Sequence, residues 1–304
     1  MPSSRHASLT RFAWLSITAS VVVIALKAFA WWITGSVGLL SDALESIVNL
    51  VAACAALLAL KVVAHPADEG HPYGHEKAEY FSSGLEGALI IVAAGAIAMT
   101  AVERLLQPKA PEAVGVGLAV SVVATAVNFG VARVLLRAGR RHHSIALEAD
   151  ARHLMTDVWT SVGVVVGVGA VALTGWTRLD PLIALTVGAN ITWTGLSLVR
   201  RSARGLMDAA LPEAEQAAIR GILDACRDQG LEYHALRTRQ AGARRFVEFH
   251  LLVPGAWTVQ HGHDVVERVE AKIRDAVPNA HVLIHLEPIE DEASWADVEL
   301  RRIR

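Results

Sequence analysis

His153 and Asp157 stand four residues apart inside the apolar stretch from Ile145 to Leu173. That spacing puts an imidazole and a carboxylate on one face of a helix. Ionisable groups in so apolar a helix are expensive, so they face a partner, a cavity or a transported ion. Imidazole nitrogen and carboxylate oxygen are also standard ligands for a divalent metal. A second apolar stretch, Leu39 to Val63, carries Glu45 and Asn49 at the same spacing. If the two faces pack together they present two carboxylates, one amide oxygen and one imidazole, enough to surround a divalent transition ion. Polar side chains also bond one another across helical bundles without any metal, but the matched spacing of both pairs favours the ion. Asp42, one turn before Glu45, is either a spare ligand or a cap after the Gly35–Gly38 turn. One nitrogen among oxygens suits Fe²⁺, Mn²⁺, Co²⁺ or Zn²⁺ better than softer ions and does not choose among them.

Two further groups have metal-binding chemistry. Asp68, His71 and His75 form a compact set in the loop that follows the second stretch. Histidines exposed on a Gly- and Pro-marked turn are the plainer reading of any one of them; the three together favour a metal. Near the C-terminus, His234, His250, His263, His285 and Glu287 gather in a polar region. His285 and Glu287, two apart on a strand, share a face. His234 and His250 fall on neighbouring expected strands, and His263 near the start of a helix. These five could hold two zinc-like ions, with Glu287 bridging. His142 and His143, beside Arg140 and Arg141, read as headgroup-facing.

The elements that must position these groups are legible. The chain has 304 residues, 53% hydrophobic and 19% charged, too apolar for an ordinary soluble protein of this length. A net charge of −2 gives no argument for nucleic acid, and two cysteines give neither a disulfide framework nor a Cys-x-x-Cys pair. Six stretches are long enough to span a bilayer: Phe12–Thr34, Leu39–Val63, Tyr80–Leu106, Val114–Leu136, Ile145–Leu173 and Leu179–Val199. Ten Lys and Arg residues flank one set of loops and three the other, which places both termini in the cytoplasm of a cell inner membrane. After about Gly205 the composition becomes soluble, with the order α-β-β-α-β of a small two-layer α+β domain. The expected divisions are a cytoplasmic segment 1–11, a six-helix membrane domain 12–205, a cytoplasmic domain 206–290 and a flexible tail 291–304.

The pattern resembles the cation diffusion facilitator family of metal/proton antiporters, over about residues 8–290 and closest to the bacterial iron- and zinc-exporting branch. The resemblance rests on His153-x-x-x-Asp157, on His71-Pro-Tyr-Gly-His75-x-Lys77-x-Glu79, and on His234-Ala-Leu-Arg-Thr-Arg-Gln240 and Leu283-Ile-His285-Leu-Glu287. It implies a ferredoxin-like, metallochaperone-type cytoplasmic domain, a homodimer, and a second metal in the loop after helix two. It also implies a charge interlock between Lys77 and an acidic residue after helix six, here Asp208. The chain departs from the family pattern at Glu45 and Asn49, where Asp-x-x-x-Asp or His-x-x-x-Asp is common, and at Glu287, where aspartate is usual.

The expectation is therefore a transporter that exports Fe²⁺, Zn²⁺ or a similar ion (Mn²⁺, Co²⁺ and Cd²⁺ among them) against protons, with no organic cofactor. Metal and proton compete for the same ligands. Asn49 cannot titrate, so the expected proton-to-metal ratio is lower than four titratable ligands would allow. A membrane-anchored metal sensor is the alternative, although a sensor needs only the soluble histidines. The chain lacks His-Glu-x-x-His and a nucleophile elbow, so a metalloenzyme is not expected.

Overall fold

A computed structural model describes residues 4–34, 37–107, 115–176, 178–228 and 230–295. They divide into two compact units, Met1–Ala203 and Arg204–Arg304.

The first unit is built from six long helices: α1 Ser4–Thr34, α2 Val37–Val63, α3 Ala78–Leu106, α4 Gly115–His142, α5 Ile145–Thr174 and α6 Leu179–Leu206. The shortest has 27 residues, which at about 1.5 Å per residue exceeds the roughly 30 Å of a hydrocarbon core. Among the described residues, four segments are apolar and long enough to cross a membrane: Leu9–Phe29, Ala78–Leu106, Val122–His142 and Pro181–Leu206. In α2 the apolar segment Asn49–Val63 is shorter than a span.

Helix α5 is the element held from most sides. Its Leu147, Ala151 and Leu154 join Leu9 and Ala13 of α1, Leu57 and Leu60 of α2, and Ala132 and Leu135 of α4 in one core cluster. Its Ala149 joins Ile90 and Ala94 of α3 and Ile191 and Leu198 of α6 in another. The α4–α5 turn closes with His143 at φ 53° and the Ser144 amide donating to Gly139 O. The first turn of α5 would leave amides without partners. There the Glu79 carboxylate, reaching from α3, accepts from Ser144 Oγ at 2.8 Å and from the Ala146 amide at 3.1 Å. A carboxylate is well placed at the positive end of a helix. Glu148, one turn into α5, pairs with Arg201 of α6 at 2.5 Å.

The second unit follows the order α7 Glu213–Arg227, β1 Glu232–Ala241, β2 Arg244–Val253, α8 Val259–Ala276 and β3 Ala280–Pro288. The sheet order is β1-β2-β3, with β1 and β2 antiparallel and β2 and β3 parallel. The parallel pair needs a crossover, which α8 supplies. Ile219, Leu223 and Cys226 of α7 and Val265, Val269 and Ile273 of α8 lie on helical spacing, and with the alternating Val247, Phe249 and Leu251 of β2 they form one core. Beside it the buried Arg245 makes two 3.1 Å bonds to Glu215. The stretch expected as tail begins with a 3-10 turn, Glu292–Trp295, whose indole donates to Ile289 O at 2.9 Å. Residues 296–304 lie outside the described residues.

Candidate metal sites

The face-sharing of His153 with Asp157 on α5 meets Asn49 of α2 directly. His153 Nε2 donates to Asn49 Oδ1 at 2.6 Å, and Asn49 Nδ2 donates to Asp157 Oδ2. Asn49 and His153 are buried and Asp157 is half-buried. Nδ1 of His153 is buried with no hydrogen-bond partner. The amide thus links the imidazole and the carboxylate of α5, one at each end of its dipole. A fourth group joins them that sequence reasoning missed: Asn128 of α4, buried, whose Nδ2 lies 3.4 Å from Asp157 Oδ2. A lone asparagine in an otherwise apolar run was its only signal. Glu45 lies on α2 one turn before Asn49, and the side chains of Glu45 and Asp42 are outside the described residues.

In the loop, Asp68 Oδ1 lies 3.5 Å from His71 Nδ1 and Oδ2 lies 3.5 Å from His75 Nε2. The His71 and His75 rings are 4.4 Å apart. The backbone preshapes the group: the His71 amide donates to Asp68 Oδ1 at 2.7 Å, and Gly74 turns the chain at φ 86°. That amide bond is the main reason the Asp68 carboxyl is held below its ordinary value. Nδ1 of His75 is buried with no hydrogen-bond partner.

In the second unit, strand register does the gathering. His234, His250 and His285 are direct partners across β1, β2 and β3. His234 Nε2 is 3.2 Å from His250 Nδ1 and 3.0 Å from Glu287 Oε2, and His250 Nδ1 is 3.2 Å from Glu287 Oε1. Two ligands of a tetrahedral zinc-sized ion sit about 3.3 Å apart, so these distances fit a metal between them. His285 Nε2 stands 3.5 Å from Glu287 Oε1 with its side chain 66% exposed. His263 is exposed on the first turns of α8, outside the compact group of His234, His250 and Glu287. A residue three or four positions into a helix can face any direction relative to a neighbouring sheet, which spacing alone did not settle.

Asp208 adopts φ 55° after α6 and lies 3.4 Å from the Arg239 guanidinium, within its own unit. Lys77 immediately precedes α3 in the other unit.

The cation efflux transmembrane domain family matches residues 13–207, and the cation efflux protein cytoplasmic domain family matches residues 211–289. An uncharacterized transporter of Synechocystis sp. is 55% identical over 284 residues, 93% of this chain and 92% of its own. The cation-efflux pump FieF of Klebsiella pneumoniae is 31% identical over 92% of this chain and 93% of its own. FieF of Pectobacterium atrosepticum is 32% identical over 93% of this chain and 94% of its own.

Proposed function

This chain belongs to the cation efflux family, the cation diffusion facilitators, in both its membrane and its cytoplasmic domain, and as a membrane transporter of metal cations we propose that it exports Fe²⁺ or Zn²⁺ from the cytoplasm in exchange for protons. The observation that carries this reading is the joining of Asn49, His153 and Asp157 at a buried point between α2 and α5. Glu45 completes the set from α2. All of α1 to α6 cross the inner membrane, with both termini in the cytoplasm as the loop charges direct. The working unit is a homodimer, its subunits interlocked near the membrane through Lys77 and Asp208.

The exchange follows from the ligands. The Nε2–H of His153 is spent on Asn49 Oδ1 and the Asp157 carboxylate on two amides. A neutral imidazole binds an ion through a nitrogen lone pair and a carboxylate binds it as an anion, so any proton that makes His153 an imidazolium or that sits on Glu45 or Asp157 leaves as the ion enters. The Asn49 amide then turns its oxygen to the ion without releasing a proton. On the opposite side, protons return to His153 and to the carboxylates Glu45 and Asp157 and expel the ion.

Asp68, His71 and His75 hold a second ion in the loop. His234, His250, His285 and Glu287, with His263, hold ions in the cytoplasmic domain that favour a closed dimer and tie transport to cytoplasmic metal. Zn²⁺ and Fe²⁺ lead the candidates, and Mn²⁺, Co²⁺ and Cd²⁺ belong in any panel.

The test is Asp157→Ala in reconstituted vesicles. It is expected to abolish metal flux while the protein stays folded and dimeric. Wild-type flux would falsify the assignment, and metal binding with no flux even in the wild type would favour a membrane-anchored sensor.

A further inference from the structure

Two carboxylates of the membrane unit belong to none of these sites. Glu86 of α3 is 0% exposed and Asp150 of α5 is 1% exposed. They lie close enough for their charges to act on one another. Glu86 Oε1 accepts a long 3.4 Å bond from Ser82 Oγ, while Glu86 Oε2 and both carboxylate oxygens of Asp150 have no hydrogen-bond partner. From α1 the fully buried hydroxyl of Ser16 reaches Asp150 as a weak donor, short of the geometry of a full hydrogen bond. Ser20, one turn further along α1, is buried and unpartnered too.

Among the described residues no basic side chain acts on either carboxylate. The charged groups of the packed helices are engaged elsewhere. Lys27 of α1 donates to Ser46 of α2 at 2.8 Å. Glu79 of α3 is held by Ser144 and Ala146. Arg201 of α6 takes Glu148 of α5. On α4, Asn128 turns to Asp157. On α5 itself Arg152 is two residues from Asp150, a spacing that points the two side chains apart. Two enclosed carboxylates with no counter-cation and almost no hydrogen bonds cannot both be anions, because an unpaired buried charge is far too costly. They stay buried by holding protons.

We propose that Glu86 and Asp150 form a proton-binding site separate from the metal ligands, loaded and unloaded during each transport cycle. This inference rests on the antiport reading above. It supplies from α3 and α5 the exchangeable proton that Asn49 cannot carry. Asp150 lies three positions before His153 on α5, so a movement of α5 that re-aims the metal site also moves Asp150. In one state an O–H of the pair gives its proton to water on the cytoplasmic side; in the other, a carboxylate takes one from the opposite side. The Ser16 hydroxyl is placed to pass or hold that proton.

Full-length protein in vesicles, loaded with Zn²⁺ and followed with a metal probe and a pH probe, tests this with Glu86→Gln and Asp150→Asn. Each amide copies the neutral acid and so preserves the packing. Both variants are expected to bind and move Zn²⁺ but to exchange one proton fewer per ion than the wild type, with a flatter dependence of flux on pH. Infrared difference spectra give a second readout that does not need the variants to fold well. The wild type should show a protonated carboxylic acid C=O band that is lost as pH rises. An unchanged proton count in both variants, or no titrating acid band in the wild type, overturns the proposal while leaving antiport intact. A wild type that moves Zn²⁺ with no protons at all overturns the antiport reading, and this site with it.

Discussion

Asn49 is the residue on which the proposed transport site turns. Its amide satisfies His153 and Asp157 at once, so hydrogen bonds close the site where an aspartate at position 49 would set one carboxylate against another. The α5 pair was readable in the sequence because an imidazole and a carboxylate on one face of an apolar helix are too costly to keep without a shared task. Asn128 was not, because a single amide has no spacing partner, and which helix lies opposite is a property of packing. The loop offers a residue-scale prediction about pH. The Asp68 carboxyl is held below its ordinary value chiefly by the His71 amide. Its contribution to the turn is therefore fully present above the unfolded carboxyl pKa of about 3.9. It is lost only as pH falls through the lower folded value. The Asp68 carboxyl carbon resonance should show its own titration only in stronger acid than a free aspartate, and a midpoint at or above the free value would contradict that bond. Asp68→Asn should keep the turn, since an amide oxygen also accepts from the His71 amide. It should still weaken loop metal binding by roughly tenfold or more, as isothermal titration would read. Unaltered affinity would remove Asp68 from the ligands.

At the scale of elements, α5 is precise because other helices fix both its start and its sides. Glu79 bonds its first turn from α3. Glu79→Ala should strand the Ser144 hydroxyl and the Ala146 amide, at about 1–3 kcal/mol for each buried group. A clear fall in detergent melting temperature is expected, with Glu79→Gln recovering part of it; no fall would mean that water replaces the carboxylate. The α3–α6 seam is a second case. A Cβ on Gly195 would come within 2.8 Å of Ile91 Cγ1 and 2.9 Å of Gly87 O, so these helices meet through small residues. Gly195→Val should force them apart, costing about 1–3 kcal/mol and lowering both thermal stability and flux. Unchanged melting would show that the seam can give. Apolar runs revealed where the helices lie but not where α4 and α6 end. Both continue past the expected Leu136 and Val199, to His142 and Leu206. Their basic last turns are helix-competent, and Arg201 is drawn onto Glu148 of α5. Glu79 itself looked like one more polar residue of the loop string, because a cross-helix cap has no sequence signature.

For the whole molecule, a membrane unit carries two groups of proposed ligands, the α2–α5 set and the loop, and a soluble unit a third, on unrelated architectures. Period-two alternation made β2 and the final strand recognisable, and the αββαβ order followed. The register that lines up His234, His250 and His285 did not follow from the sequence, since sliding a strand by one residue reverses which face each histidine occupies. His263 shows the same limit from the helical side. The central claim joins metal efflux to the return of protons through one buried set of ligands, with Glu86 and Asp150 exchanging a further proton beside it. The most direct measurement is metal-driven proton flux in vesicles over Fe²⁺, Zn²⁺, Mn²⁺, Co²⁺ and Cd²⁺, for the wild type and for Asn49→Asp. The account predicts counterflow of protons with Fe²⁺ or Zn²⁺, and more protons per ion once position 49 can titrate. Metal flux with no proton movement, or a ratio that Asn49→Asp leaves unchanged, would contradict it.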